Sequence, residues 1–512
     1  NGLWSMNATT LNTILTFNGS STLGGAGTLS LSDDTQNFIF SNLATNVITQ
    51  AAGHTIKGSG QFLNNTGGMV NEGTIIATGT SAALAIDPSA AGFVNKGTLQ
   101  AQGAAGLDFA AGDFTNTDQS IDVLSGSRLD LNNGSKVIGG ALTTAGTGVI
   151  NANSGATLDG VTVDGNVVQG NGQDVTILNG LTNNGLWSMN ATTLNTILTF
   201  NGSSTLGGAG TLSLSDDTQN FIFSNLATNV ITQAAGHTIK GSGQFLNNTG
   251  GMVNEGTIIA TGTSAALVID PSAAGFDNKG TLRAQGAAGI DLTDGANTKN
   301  SSGSVEVGGG SRIDVTGNYL QTGGSTVVEA AGLLTATGTV NIQGGRLGGN
   351  GTVDANVNNT GGVTGAGMSV GLLTIDGAYT QSALGTFEEE IDSFTSFDFV
   401  KVLGAASLDG FLDVIVNSLF APTLTVGATF EILNATSITG TFSGLTDNFA
   451  ELAFTHFIDT GSTGGESVFL RVTEVNFPPP PPGSDVPEPE MLSLFGLGLG
   501  VIAALKRKLR RG

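Results

Sequence analysis

Val70-Asn71-Glu72-Gly73-Thr74-Ile75 returns as Val94-Asn95-Lys96-Gly97-Thr98-Leu99, and Phe114-Thr115-Asn116-Thr117 follows at a similar, slightly shorter interval. Similar short alternating stretches crowd the chain: Thr28-Leu29-Ser30-Leu31, Arg128-Leu129-Asp130-Leu131 and Gly148-Val149-Ile150-Asn151. Alternate side chains of a strand point to opposite faces, so each stretch offers only two or three apolar groups to a core. Stacked coil on coil, their Leu, Ile and Val rows merge into one core, while Asn and Gly shape the corners. The period predicts an all-β fold, a right-handed parallel β-helix (solenoid). At about 4.8 Å per coil and roughly 20 to 24 residues per coil, the body to about residue 380 makes a rod on the order of 80 Å long. An array of β-sandwiches is the competing fold, but it calls for Greek-key strands and hairpins at longer, less regular spacing.

A longer repeat encloses the short one. Residues 1–93 recur at 184–276 with one difference, Ala85 against Val268. The likeness continues more loosely, and Ser127-Arg128-Leu129-Asp130 returns as Ser311-Arg312-Ile313-Asp314 after a one-residue insertion. Trp4 and Trp187, the only tryptophans, are equivalent, as are His54 and His237. Near-identity over such a length suits a solenoid, where one module joins the next without a special interface. We divide the body into a first β-helix module at 1–183 and a second at 184–360. The sequence opens inside a repeat, as a fragment or a processed product does.

Composition narrows the function classes. Gly accounts for 80 of 512 residues, charged residues for 11%, and Cys is absent. With 39% hydrophobic residues the chain lacks the signature of disorder, and without cysteine its stability rests on repetitive packing. A net charge of -23 argues against nucleic acid, which needs a concentrated basic surface.

From about Gly361 the strands lengthen and gain phenylalanine, which suits a β-rich cap over 361–476. The runs Gly371-Leu-Leu-Thr-Ile-Asp-Gly-Ala-Tyr379-Thr-Gln381 and Ile438-Thr-Gly-Thr-Phe-Ser-Gly-Leu445, with the acidic strand between them, resemble the passenger-domain end of autotransporter and haemagglutinin-like adhesins. The resemblance implies a surface-exposed adhesive rod. The chain departs from that family where Phe477 leads straight into prolines, with no membrane β-barrel following it.

The terminal residues read as an address. A proline-rich spacer at 477–490 ends in Val486-Pro487-Glu488-Pro489-Glu490. A short apolar segment, 491–505, comes next and is expected to form one hydrophobic transmembrane helix; a basic tail, 506–512, closes the chain. Fifteen residues reach about 22 Å as a helix against a hydrocarbon core of about 30 Å, adequate as a temporary stop and marginal as an anchor. The three parts in this order resemble the PEP-CTERM sorting signal of Gram-negative, exopolysaccharide-producing bacteria. That resemblance implies Pro487, Glu488 and Pro489 as the sorting motif and Lys506, Arg507, Lys508, Arg510 and Arg511 as retention charges. It also implies an exosortase-type sorting enzyme as partner, and passage through the inner membrane to the cell surface or matrix. An ordinary C-terminal membrane anchor is the plainer reading of the same residues.

Catalytic chemistry finds little support in the sequence. Glycoside hydrolysis needs two carboxylates across a cleft. Asp33-Asp34, repeated as Asp216-Asp217, reads as a turn. In Glu388-Glu389-Glu390, Glu388 and Glu390 share one strand face, expected to be solvated, with weak cation binding as the lesser reading. His54, His237 and His456 are far apart, and His54 reads as a coil-corner residue. No catalytic residue, metal site or cofactor is expected. The resulting expectation is a non-enzymatic extracellular adhesin or scaffold associated with extracellular polysaccharide. A β-helix polysaccharide lyase or hydrolase and a purely structural rod are the alternatives.

Overall fold

In a computed structural model of the chain the described residues are 1–132, 134–460 and 464–478. One turn of the chain lays down three short strands, such as Thr28–Leu31, Asn37–Ser41 and Val47–Gln50. Each pairs in parallel with the strand one turn later: Thr28–Leu31 with Thr55–Gly58, Asn37–Ser41 with Gly60–Phe62, and Val47–Gln50 with Gly68–Asn71. The molecule is therefore a parallel β-solenoid of about 18 turns, and the continuous parallel pairing excludes a sandwich array. We call the three ladders face A (through Thr28–Leu31), face B (through Asn37–Ser41) and face C (through Val47–Gln50).

The alternation seen in the sequence sets the core. On face A the inward residues Leu29, Ile56, Ile75, Leu99, Ile121 and Leu142 are all buried and stack in register. Polar interior positions are filled by amides that bond to one another. Asn71 Nδ2 donates to Asn95 Oδ1 at 2.9 Å, Asn95 Nδ2 to Asn116 Oδ1 at 2.8 Å, and Asn116 Nδ2 to the Gln119 carbonyl at 3.0 Å. The second module repeats the ladder as Asn254 to Asn278 at 2.8 Å and Asn278 to Asn300 at 3.1 Å. Buried amides linked this way escape the cost of unmet donors and pin the register. At Gly58 (φ 126°) a Cβ would run into the Leu31 carbonyl of the turn below, so the close stacking there requires glycine.

Turn length varies more than the period in the sequence suggests. Ile150 pairs with Val167 across a short turn, whereas the turn that joins Phe411 to its partner Gly444 is nearly twice as long. Short turns arise where strands run on round a corner, as in the nine-residue Ala156–Asp164 bent at Gly160 (φ 63°). Long ones carry extra connections such as the 3-10 turn Ala421–Thr423.

Variable turns have a consequence for the duplication. Leu3–Met6 lies on face A, and eight successive parallel steps up that face reach 181–182. The duplicate strand Leu186–Met189 comes next in the chain and lies on face B. Likewise Asn37–Ser41 is on face B and its duplicate Asn220–Ser224 on face C. The second module is thus displaced by eight turns and one face.

The parallel ladders cross residue 361 without a break, through Thr352–Asn359 to Leu372–Ile375 and through Val363–Gly365 to Thr386–Ser393. Antiparallel pairing occurs where Thr386–Ser393 turns back on Ser396–Phe397, and again near the end, where Glu466–Val475 lies between Thr429–Ala435 and Leu452–Asp459. The transmembrane helix expected over 491–505 is not upheld. No helix among the described residues is long and apolar enough to cross a membrane, and 491–505 lies outside them. The physical objection to it is reach, since a helix of about 22 Å falls short of a hydrocarbon core of about 30 Å.

Candidate functional site

The outward positions of a solenoid face form columns, one residue per turn, about 4.8 Å apart. On face B one column reads Ile14, Phe38, Gln61, Ala85, Asp108, Asp130 in consecutive register. On face C the duplicate column reads Ile197, Phe221, Gln244, Val268, Asp291, Asp314. Each is a strip about 24 Å long, aromatic at one end and ionic at the other.

At the aromatic end Phe38 and Phe40 stand two residues apart on the same side of one strand, their rings edge to face with centroids 6.3 Å apart. Phe221 and Phe223 repeat this at 6.2 Å. All four are half-buried and turned outward. The strand alternation that puts Ile39 and Ile222 in the core forces these phenylalanines to solvent. Beside them Gln61 Nε2 donates to the Thr35 carbonyl at 3.4 Å and Gln244 Nε2 to that of Thr218 at 3.2 Å.

At the ionic end Asp108 and Asp130 stack on adjacent turns. Arg128 Nε donates to Asp130 Oδ2 at 2.8 Å and Arg128 Nη2 to Asp108 Oδ1 at 3.4 Å, while Asn151 Nδ2 donates to Asp130 Oδ1 at 2.6 Å. Burial, then repulsion by and hydrogen bonding with Asp130, push the Asp108 carboxyl up to about 7 against the pull of Arg128. The pair therefore carries less than its full charge at neutral pH. In the second strip Arg312 Nη1 donates to Asp291 Oδ1 at 2.8 Å and also bonds Asp314.

The strips escaped the sequence reading because their members lie a whole turn apart in the chain, whereas only acidic residues adjacent in sequence were weighed. The signal was present: Leu107-Asp108-Phe109 and Leu129-Asp130-Leu131 differ by one turn, and the Ser-Arg-x-Asp repeat already marked the second pair.

Of the acidic residues adjacent in sequence, Asp33, Asp216 and Glu388 are each held by neighbouring groups. Asp33 sits in a turn and accepts from Thr80 N–H at 2.9 Å, Thr80 Oγ1 at 2.9 Å, Ser81 N–H at 3.0 Å and Ala82 N–H at 2.9 Å. These bonds, the Ala82 one foremost, hold its carboxyl well below the usual range. It ties together turns two coils apart, and Asp216 does the same with Thr263, Ser264 and Ala265. Glu388 and Glu390 do share an outward face, but Glu388 is bound by Arg346 at 2.8 Å rather than free in solvent. Glu389 turns into the core, fully buried, with neither carboxylate oxygen hydrogen-bonded. His54 lies at a coil corner, its backbone N–H donating to the Ala51 carbonyl at 3.2 Å. Among the described residues no group of three or more His, Cys, Asp or Glu side chains could hold a metal ion.

Pro487, Glu488 and Pro489, and Lys506, Arg507, Lys508, Arg510 and Arg511, lie outside the described residues. They fall within 485–511, which match the family model described as the PEP-CTERM protein-sorting motif. No curated protein matches the chain. What the chain carries, then, is a sorting signal shared with that motif on a β-solenoid body.

Proposed function

We propose that this protein is a non-enzymatic surface or matrix rod, an adhesin or scaffold that binds extracellular polysaccharide along its two outward strips. The observation that carries the reading is the strip itself: outward, half-buried aromatic rings, an amide and a stacked Asp–Arg–Asp group, spaced one per turn on a rigid face. Extended polymers of hydroxyl-rich rings meet such columns with repeated stacking and hydrogen bonds, each weak and together additive. The sorting motif accounts for how the rod reaches the envelope, an exosortase-type enzyme recognising Pro487, Glu488 and Pro489 at the inner membrane. In this reading the coil winds right-handed, as parallel crossovers do, and the antiparallel strands over 452–475 close its last edge.

The C-terminal mass and cell fraction of the native protein test the sorting half. A chain ending near Glu488, in the outer envelope or the medium, is expected; an intact Gly512 in the inner membrane overturns it. Gel retardation in embedded neutral polysaccharide tests the binding half, and mobility unchanged by any glycan overturns that.

A hydrolase or lyase reading draws on one observation, the raised Asp108 beside Asp130. Those two carboxyls stack on adjacent turns, about 4.8 Å apart, and share Arg128, whereas the carboxyls that flank a scissile glycosidic bond stand on opposite sides of it, roughly 5 to 9.5 Å apart. Release of new reducing or unsaturated ends from a bound glycan would favour it over the proposed function.

A further inference from the structure

The duplicated strips do not point the same way. The first lies on face B and the second on face C, because the module repeats after eight turns and one face rather than a whole number of turns. At about 4.8 Å per turn their equivalent residues stand on the order of 40 Å apart along the axis. On face B beyond the first strip the outward column continues as Asn151, Val168, Ser188 and Ser213, with neither the aromatic pair nor the stacked aspartates. A straight polymer lying along face B therefore meets one strip only, and a strand on the second strip must lie on a different side of the rod.

We infer that the protein is a cross-linker: its two strips hold two separate strands of an uncharged, hydroxyl-rich polysaccharide on adjacent faces. This rests on the glycan-binding reading above and gives it a geometry. Charge selects the class of polymer. The chain carries a net -23, and each strip places two aspartates beside a single arginine, so a polyanion is repelled while neutral sugar rings are not. The edge-to-face phenylalanines and flanking Gln61 or Gln244 offer what such a ring can use, an apolar surface beside hydrogen-bonding groups. Had the module repeated after whole turns, both strips would share one face and a single strand would span them with gained avidity.

The test uses the full chain with hydroxyethyl cellulose, a soluble neutral glucan, read by light scattering and low-shear viscosity, with binding followed separately by gel retardation. Three variants separate the strips: Phe38→Ser with Phe40→Ser, Phe221→Ser with Phe223→Ser, and all four together. Because these rings face outward, far-UV circular dichroism should not change. Ala85→Arg and Val268→Arg block the middle of each strip independently should the phenylalanine variants fold poorly. The wild type is expected to raise scattering and viscosity several-fold. Each single-strip variant should still bind, within about twofold in affinity per site, yet lose the rise, and the quadruple variant should lose both. The cross-linking inference is overturned if single-strip variants raise scattering as the wild type does. It is also overturned if the wild type binds more than tenfold tighter than they do without any rise. Absence of binding by every form sinks the glycan reading instead, and cross-linking with it.

Discussion

Trp4 and Trp187 occupy the same place in two near-identical sequences, and the fold treats them differently. Trp187 is 0% exposed between the strands Asn166–Gln169 and Thr211–Leu214, and its indole Nε1 donates to Gln169 Oε1 at 3.2 Å. Trp4, in the first strand of the described stack, is 55% exposed. Burial here belongs to a residue's place in the stack, because the core of a solenoid is made between turns rather than within one.

The largest expected effect is at these two positions. Trp187→Ala should cost about 3–5 kcal/mol, the usual result of emptying a large core site, while in a chain that starts at Asn1, with no turn stacked before it, Trp4→Ala should cost under about 1 kcal/mol. Denaturant melts of the two variants check this, and equal losses would contradict the burial contrast. In a chain limited to residues 1–512, which hold two tryptophans, acrylamide should quench one emitting population strongly and the other hardly at all.

The next contrast sets the duplicated body against the later turns. Inside the modules the interior amides donate to one another or to backbone carbonyls, whereas Glu389 is buried with both oxygens unpartnered, beside Asp398 and Glu390. Burial foremost, then those neighbouring carboxylates, raise its pKa well above the ordinary 4.5. The folded state thus favours the proton: below about 4.5 Glu389 costs nothing extra, and stability falls as pH rises above that value. Asp398, raised to about 7 chiefly by burial, adds to the same slope between 3.8 and about 7. Glu389→Gln should slow hydrogen exchange over 386–416 at pH 8 and leave it unchanged at pH 4. An identical pH slope in wild type and variant would refute the assignment.

Breaking the amide ladder should cost less, about 1–3 kcal/mol. Asn278→Ala leaves the Asn254 amide without its 2.8 Å acceptor, and Asn95→Ala does the same to Asn71. The two losses should agree, since both sites lie deep in the stack, and thermal melts measure them.

The smallest effect is at Asp33→Ala and Asp216→Ala, expected to lower Tm by about 1–3 °C each. Both carboxyls sit well below their usual range, the Ala82 or Ala265 N–H being the first cause, so their contribution is present above pH 3.8 and lost on further acidification. Here the copies should match, unlike the tryptophans, because the donors to each Asp lie within its own module.

How much of this was legible follows from the same physics. The Val-Asn-x-Gly-Thr repeat was enough for parallel stacking, because Thr74 and Thr98, equivalent in its two copies, are register partners. The inward Asn71, Asn95 and Asn116 could be read as interior or corner residues from their recurrence alone. The strips could not be read so directly, since Asp108 and Asp130 become neighbours only once the length of that particular turn is known. Nor could Glu389: alternation says that it opposes Glu388 and Glu390, and three glutamates in a row suggest solvent on both sides. The hydrophobic neighbours Phe387 and Ile391, both at 0% exposure, decide that it goes inward.

The displacement of the second module by eight turns and one face is, in crystallographic language, a screw operation: a translation of roughly 40 Å with a rotation of one third. Repeating that operation brings a given surface back to its starting direction only after three modules, about 25 turns or on the order of 120 Å. A polymer of such modules would show the same chemistry in three azimuths in strict succession, a spiral staircase whose pitch is fixed by the lengths of its loops. Inserting or deleting one strand's worth of chain in a module would straighten the staircase into a ladder. Small changes in loop length could therefore convert a rod that gathers strands from all sides into one that runs along a single strand.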